Sequence, residues 1–191
     1  MISSKKYFLF FCSFALLLFT SCDLTDDNLK QKNISGIDPD EYYQFKEIDL
    51  RSTDVEASIF IPDETAGIGA SFKANILHDE DFKWMVSAGP NFELFIEDYG
   101  DFSSLMSEFR AKIKSKNLFK ISIIKDQDSL VLFKREIMND RRIHESRIRH
   151  ESYHIYGVKR INGYNYEIKN RESGNTLKVV KFMEKSIKSL K

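Results

Sequence analysis

RHESYHIYGVKRINGYNYEIK, residues 149–169, contains the strongest structural signal in this chain. Two runs rich in tyrosine, isoleucine and valine stand on either side of Asn162-Gly163. Aromatic and β-branched residues favour strands, and Asn-Gly is the dipeptide that a two-residue hairpin turn prefers, because both of its positions take a positive φ. The stretch therefore predicts an antiparallel hairpin, with strands at 149–161 and 164–169, and with it an antiparallel sheet.

Two other segments carry apolar residues at helical spacing. At ~100° per residue these side chains fall on one face, as they do in helices packed on a core. One helix is predicted to begin at Asp101 and the other at Asn175, because both residue types cap helix N-termini. Alternating or short apolar runs between turn residues predict five further strands. These strands are 55–61, 82–88, 92–98, 119–125 and 130–138.

The order of these elements predicts an α+β fold, with an antiparallel sheet of about seven strands covered by two amphipathic helices. An α-β-α sandwich is one arrangement of such layers. The strings Ser58 to Asp63 and Met183 to Leu190 make the order similar to the Mog1/PsbP-like fold. This resemblance implies a sandwich that the C-terminal helix closes, and it implies no activity.

The first 21 residues have the features of a secretory signal peptide. Lys5-Lys6 precede the run from Tyr7 to Phe19, which contains no charged residue, and small polar residues follow. A single membrane-anchoring helix is the alternative, but the run is shorter than the ~20 residues that cross a ~30 Å hydrocarbon core. We therefore interpret residues 1–21 as a cleaved signal peptide.

The residues Leu18-Phe19-Thr20-Ser21-Cys22 resemble a bacterial lipoprotein signal, in which cleavage occurs just before a cysteine that then receives acyl chains. The resemblance implies that Cys22 is the acylated N-terminus of the mature chain and that these chains hold the protein on a membrane. Aspartate straight after the cysteine resembles an inner-membrane retention signal in some lineages, whereas an acidic run resembles a surface-export signal in others. We expect the protein to lie in the cell envelope, anchored at the outer membrane on either its periplasmic or its surface face.

The composition limits the remaining choices. The chain has 191 residues, 42% of them hydrophobic, and equal numbers of basic and acidic residues, 29 of each. This is enough apolar material for one packed core, and the neutral balance argues against a nucleic-acid partner. We predict a lipidated cysteine and flexible tether at 22–41 and a single α+β domain at 42–191, with no thiol left for nucleophilic catalysis.

The motif His150-Glu151-Ser152-Tyr153-His154 matches the H-E-x-x-H pattern of zinc peptidases. That chemistry needs a helix, which puts both imidazoles on one face around a single Zn²⁺ while the glutamate activates the bound water. Here the aromatic residues and the nearby Asn-Gly turn favour a strand, in which the two histidines stand too far apart for one metal. A zinc-dependent hydrolase built on His150, Glu151 and His154 is therefore the alternative rather than the first hypothesis.

Charge is distributed unevenly along the chain. Residues 23–109 contain 6 basic and 20 acidic residues, whereas residues 110–191 contain 21 basic and 9 acidic ones. The basic half could meet a partner or an anionic surface, or the two halves could interleave in space and neutralise each other. The candidate basic surface consists of Arg141, Arg142, Lys178, Lys181, Lys185 and Lys188.

Together these features predict a lipid-anchored, non-enzymatic binding or interaction domain in the cell envelope. We expect no cofactor, a membrane partner through the acyl chains, and an envelope protein as a further partner. A structural protein that contacts anionic lipid or glycan through its basic C-terminal half is a third hypothesis.

Overall fold

The computed structural model describes residues 39–71, 73–115, 119–137 and 150–191, which belong to one compact unit, Asp38–Lys191. It contains a seven-stranded antiparallel sheet, a two-stranded antiparallel ribbon and two α-helices, and this confirms the predicted α+β class. Among the residues that the structure describes, the helices lack the length and hydrophobicity of a membrane span. The helices are α1 (Leu105–Lys114) and α2 (Leu177–Ser189). The strands are β1 (Phe45–Asp49), β2 (Ser58–Pro62), β3 (Asn75–Glu80), β4 (Lys83–Ser87), β5 (Glu93–Asp98), β6 (Phe119–Gln127), β7 (Leu130–Ile137), β8 (Glu151–Ile161) and β9 (Tyr164–Asn170).

The β8–β9 hairpin lies inside the large sheet, whose strand order is β3-β4-β5-β9-β8-β7-β6. Its turn is the one the sequence predicts, since Asn162 and Gly163 have φ of 50° and 94° and Ile161 pairs with Tyr164. The two-residue turn fixes the register of the whole hairpin, and Tyr156 therefore pairs with Lys169. The β8–β9 hairpin therefore lies at the centre of the sheet, with β3 to β5 on the β9 side and β6 and β7 on the β8 side.

The two helices cover opposite faces of the sheet. On α1, the ring of Phe109 stacks on the ring of Tyr156. On α2, Ile187 approaches Gly157 so closely that an added Cβ there would stand 2.9 Å from its Cγ2. Because consecutive strand residues point to opposite faces, Tyr156 and Gly157 assign α1 and α2 to different sides. The layers are therefore helix, sheet and helix.

The main core lies on the α2 side. Apolar side chains alternate along the central strands toward this face, and the buried stripe of α2 meets them there. The β1–β2 ribbon packs on the same helix and exchanges two backbone hydrogen bonds with the C-terminus, between Ser58 and Lys191. Fully buried members of this core include Ile59, Leu94, Ile96, Ile168, Val180 and Met183.

The structure differs from the prediction in which strands form the large sheet. The predicted strand at 55–61 is β2, which pairs with β1 in the ribbon, and β3 takes its place in the seven-stranded sheet. Neither β1 nor β3 was predicted, because both carry charged residues among few apolar ones. Their pairing is decided by the neighbouring strand rather than by their own pattern.

The helix starts also differ from the prediction. The N-cap residues are Ser104 and Thr176, not Asp101 and Asn175. The Asn175 side chain instead donates to the Asn91 carbonyl at 2.8 Å and accepts from the Asn170 amide at 2.8 Å. The Asn175 side chain, which the sequence pattern predicts to cap the helix, is therefore part of a hydrogen-bond network between distant segments.

Candidate functional site

A cleft of about 460 Å³ opens between α1 and the sheet face that α1 covers. Small-molecule sites usually fall in the range of roughly 300–1,000 Å³. Its floor comes from the alternate residues of β6 to β9 that point away from α2, and its wall comes from α1 and the segment before it. The cleft exists because one ten-residue helix covers only part of a wide sheet face.

Aromatic side chains form the apolar wall of the cleft. The rings of Phe109 and Tyr156 are stacked with centroids 3.7 Å apart and planes 1° apart, and Phe133 lies 5.7 Å from Phe109. Phe102 stands at the mouth with 43% of its surface exposed. The tilted Phe109–Phe133 pair is worth about 1 kcal/mol beyond the area it buries, and the rings of Phe109 and Tyr156 lie face to face. The wall is therefore both apolar and held in place.

A chain of polar groups crosses the floor from β8 to β9. The Tyr156 hydroxyl donates to Glu167 at 2.8 Å, and the Lys169 ammonium donates to the other oxygen of the same carboxylate. Burial, and then the hydrogen bond to Glu167, raises the pKa of Tyr156, so the phenol stays protonated. Burial would lower the pKa of Lys169, but its hydrogen bond and attraction to Glu167 outweigh this and raise it. The chain is therefore an ion pair between Lys169 and Glu167 with the Tyr156 hydroxyl as a further donor.

His154 lies beside this chain on the same face of β8 and is buried. Its Nε2 stands 2.8 Å from the Ser152 hydroxyl, and its ring stacks on Phe133 with centroids 5.2 Å apart. Burial, and then the nearby Arg135, lowers the pKa of His154 to about 4, with Glu172 opposing them. The imidazole is therefore neutral over most of the physiological range.

The close fit of Gly174 holds this histidine in place. A Cβ at Gly174 would stand 2.6 Å from Ser152 Cβ and 2.7 Å from His154 Nε2. The glycine also has φ of +74°. Only a residue without a side chain satisfies both conditions.

Arg135 on β7 forms the charged side of the cleft. Its guanidinium carbon stands 5.5 Å from the centroid of the Phe133 ring and 5.8 Å from that of Phe119. Its Nη1 lies 3.5 Å from Glu172, whose side chain is 91% exposed. An exposed pair of this kind contributes about 0–1 kcal/mol. Arg135 is therefore oriented by two rings and only weakly engaged by a carboxylate.

The geometry suits holding a ligand better than transferring a proton. Ser152 and His154 have the contact of a nucleophile and its base, but a base is most effective when its pKa is near the working pH, and burial takes His154 well below it. The raised pKa of Tyr156 makes it a hydrogen-bond donor rather than a nucleophile. The apolar wall and fixed polar groups are what a binding cleft requires.

The structure separates the residues of the H-E-x-x-H motif. Glu151–Ile161 is a strand, so the helix face that a zinc site needs is not formed. His154 is buried in the cleft floor, whereas His150 precedes the strand and is exposed. Within the described ranges, no group of three or more His, Cys, Asp or Glu side chains is arranged to hold a metal ion.

The predicted basic surface is divided. Arg141 and Arg142 lie outside the described residues, as does the predicted lipidation site Cys22. The lysines of α2 are described, and three of them have partners within the protein. Lys178 donates to the Gly67 carbonyl, Lys185 to the Glu41 carbonyl, and Lys188 pairs with Glu184. Lys181 is exposed.

Three charged residues of the cleft, Arg135, Glu167 and Lys169, were not predicted from the sequence. A signal for the last two was present, because the Asn162-Gly163 turn fixes the β8–β9 register and so places Lys169 opposite Tyr156. No such local signal exists for Arg135, because residues 138–149 separate β7 from β8 in the sequence and no short turn fixes the register between these strands. Its approach to His154 follows from the pairing of Phe133 with His154.

Comparison with protein families, with curated proteins and with solved structures found no match for this chain. The resemblances to a lipoprotein signal and to the Mog1/PsbP-like fold therefore stay predictions.

Proposed function

We propose that this protein is an exported lipoprotein, anchored at the outer membrane through Cys22, whose α+β domain binds a small ligand without transforming it. The ligand site is the cleft between α1 and the sheet. The observation that carries this proposal is the cleft of about 460 Å³, with its stacked aromatic wall. The export and anchoring part rests on the segment from Lys5 to Cys22.

The charge distribution supports a cleft ligand over a basic docking surface. Lysines 178, 185 and 188 of α2 are engaged within the protein. The two halves of the chain also meet directly, because Lys191 lies 3.3 Å from Glu47 and Lys169 lies 3.9 Å from Glu97. These two ion pairs bring basic residues of the second half of the chain against acidic residues of the first half.

Blocking the cleft tests the binding part. Ile121 lines the cleft, whereas Ile124 of the same strand does not and is 48% exposed. We expect a library of small amphipathic molecules to raise the melting temperature of the full chain, and Ile121→Trp to abolish these shifts. Ile124→Trp is the matched control and keeps them. Shifts that survive Ile121→Trp would exclude the cleft as the site.

Acyl labelling tests the anchoring part. Cells that express the chain are fed an alkyne-tagged fatty acid, and the protein is expected to carry the label at the outer membrane. Cys22→Ser is expected to remove the label, whereas Cys12→Ser, within the signal segment, leaves it in place. A mature chain that retains residues 1–21, or an unmodified thiol at Cys22, would contradict the proposal.

A further inference from the structure

The charged groups of the cleft are not equally available to a ligand. Three acids and three bases line it: Glu108, Glu167, Glu172, Lys112, Arg135 and Lys169. Glu167 already accepts hydrogen bonds from Tyr156 and Lys169, and it lies buried with only 7% of its surface exposed. Glu108 accepts a hydrogen bond from Ser104 at 2.8 Å. Two of the three acids are therefore engaged.

Arg135 differs from these groups. Its carboxylate partner, Glu172, stands 3.5 Å away on a side chain that is 91% exposed, so exchanging it for another carboxylate costs little. The adjacent His154 is neutral at physiological pH, so it neither adds to nor opposes the positive charge of Arg135. Lys112 of α1 adds a second, exposed cation to the same cleft. Arg135 and Lys112 are therefore the cations of the cleft that no buried carboxylate of the described residues engages.

The rings around Arg135 also prepare it for a planar anion. Phe119 and Phe133 flank the guanidinium, which limits its motion before a ligand arrives. A guanidinium presents paired donors that match the two oxygens of a carboxylate. The apolar wall of Phe102, Phe109 and Tyr156 continues from this point. One side of the cleft thus matches an anionic head and the rest matches an apolar body.

We propose that the cleft binds a small amphipathic carboxylate, with its carboxylate group on Arg135 and its apolar body against the aromatic wall. This inference rests on the proposed function, since it names the ligand class of the same site. A neutral or cationic molecule of the same shape cannot pair with Arg135, and we expect it to bind less tightly than the carboxylate.

Three probes of one shape test the inference: 2-naphthoate, 2-naphthalenemethanol and 2-naphthylmethylammonium. They are titrated into the full chain in a non-ionic detergent, with titrations into detergent alone subtracted. We expect 2-naphthoate to bind at least about tenfold more tightly than the alcohol, which is the lower end of what charge-assisted hydrogen bonds contribute. The ammonium compound is expected to bind most weakly.

Variants connect this preference to one residue. Arg135→Gln is expected to weaken the binding of 2-naphthoate about tenfold and to leave the affinity for the alcohol unchanged. Arg135→Lys is expected to give an intermediate affinity for 2-naphthoate, because lysine keeps the positive charge but lacks the paired donors of the guanidinium. Lys181→Gln, at an exposed lysine on the far side of the sheet, is the matched control and changes nothing. The melting temperature of each variant verifies that it folds.

The outcomes separate the inference from the proposed function. If all three probes bind equally and Ile121→Trp abolishes binding, the ligand class is wrong and the binding site stands. If the preference for 2-naphthoate survives Arg135→Gln, the assignment of the carboxylate to Arg135 is overturned. If no probe binds the wild-type chain, the inference fails, and the library experiment alone then decides the proposed function.

Discussion

At the scale of single residues, Gly163 and Gly174 both have positive φ, but only Gly174 is also tightly surrounded by other side chains. A Cβ added at Gly163, where φ is +94°, would meet nothing within 4 Å, whereas one at Gly174, where φ is +74°, would meet Ser152 and His154 below 3 Å. We expect Gly163→Ala to lower the free energy of unfolding by about 1 kcal/mol, the cost of left-handed backbone for a residue with a Cβ. Gly174→Ala is expected to cost about 2 kcal/mol more, because neighbours must also move. Urea denaturation measures both, and equal losses would contradict the close packing at Gly174.

The buried histidine makes stability depend on pH in a defined direction. His154 has its pKa lowered from 6.5 to about 4, first by burial and then by Arg135. Below pH 6.5 the unfolded chain therefore binds a proton that the folded chain does not, and the free energy of unfolding falls as the pH drops toward 4, by up to roughly 3 kcal/mol.

Comparing variants isolates this contribution from that of the carboxylates. His154→Gln is expected to show a shallower loss of stability between pH 6.5 and 4 than the wild type. His150→Gln, at an exposed position four residues away, is expected to keep the wild-type slope. The measurement is the urea midpoint at half-unit pH steps, and identical slopes for the wild type and His154→Gln would refute the assignment.

At the scale of elements, α1 is held on the sheet by apolar contacts and by Arg110, whose guanidinium donates hydrogen bonds to Asp126 and to the Gln127 carbonyl. Leu105 is its buried residue, and Phe109 supplies the stack on Tyr156. We expect Phe109→Ala to lower the free energy of unfolding by about 2 kcal/mol and to speed amide hydrogen exchange within α1, because the helix loses its main ring contact. Exchange in α2, whose buried stripe enters the core, is expected to stay unchanged.

Phe102→Ala is the matched control for this element. Phe102 lines the same cleft but is 43% exposed and precedes the helix. We expect it to cost less than about 1 kcal/mol and to leave exchange in α1 near the wild-type rate. If both variants destabilise the chain equally, the stack on Tyr156 is not what holds α1.

At the scale of the whole molecule, the start of the domain is tied to its last helix. The Tyr42 hydroxyl donates to the Lys185 carbonyl at 3.0 Å, and its ring packs edge-on against Phe45 and Phe60. The hydrogen bond joins segments 143 residues apart. We expect Tyr42→Ala to lower the free energy of unfolding of the full chain by about 2 kcal/mol.

The adjacent residue is the control for this closure. Tyr43 is 75% exposed, so Tyr43→Ala is expected to change the free energy of unfolding by less than about 0.5 kcal/mol. Thermal or urea unfolding of the full chain compares the two. If Tyr43→Ala lowers the free energy of unfolding as much as Tyr42→Ala does, the contacts of Tyr42 with α2 are not the cause of the loss.

Local chemistry was enough to predict the parts of this fold that depend on near neighbours in the chain. The Asn162-Gly163 turn, the β8–β9 register and the apolar stripe of α2 follow from φ preferences and helical periodicity. The choice of strands in the large sheet and of side chains in the cleft became visible only in the folded molecule. Burial, and hence the low pKa of His154 and the placement of Arg135 beside it, depends on neighbours from distant segments. No local pattern contains that information, because desolvation is a property of the packed surroundings and not of the residue.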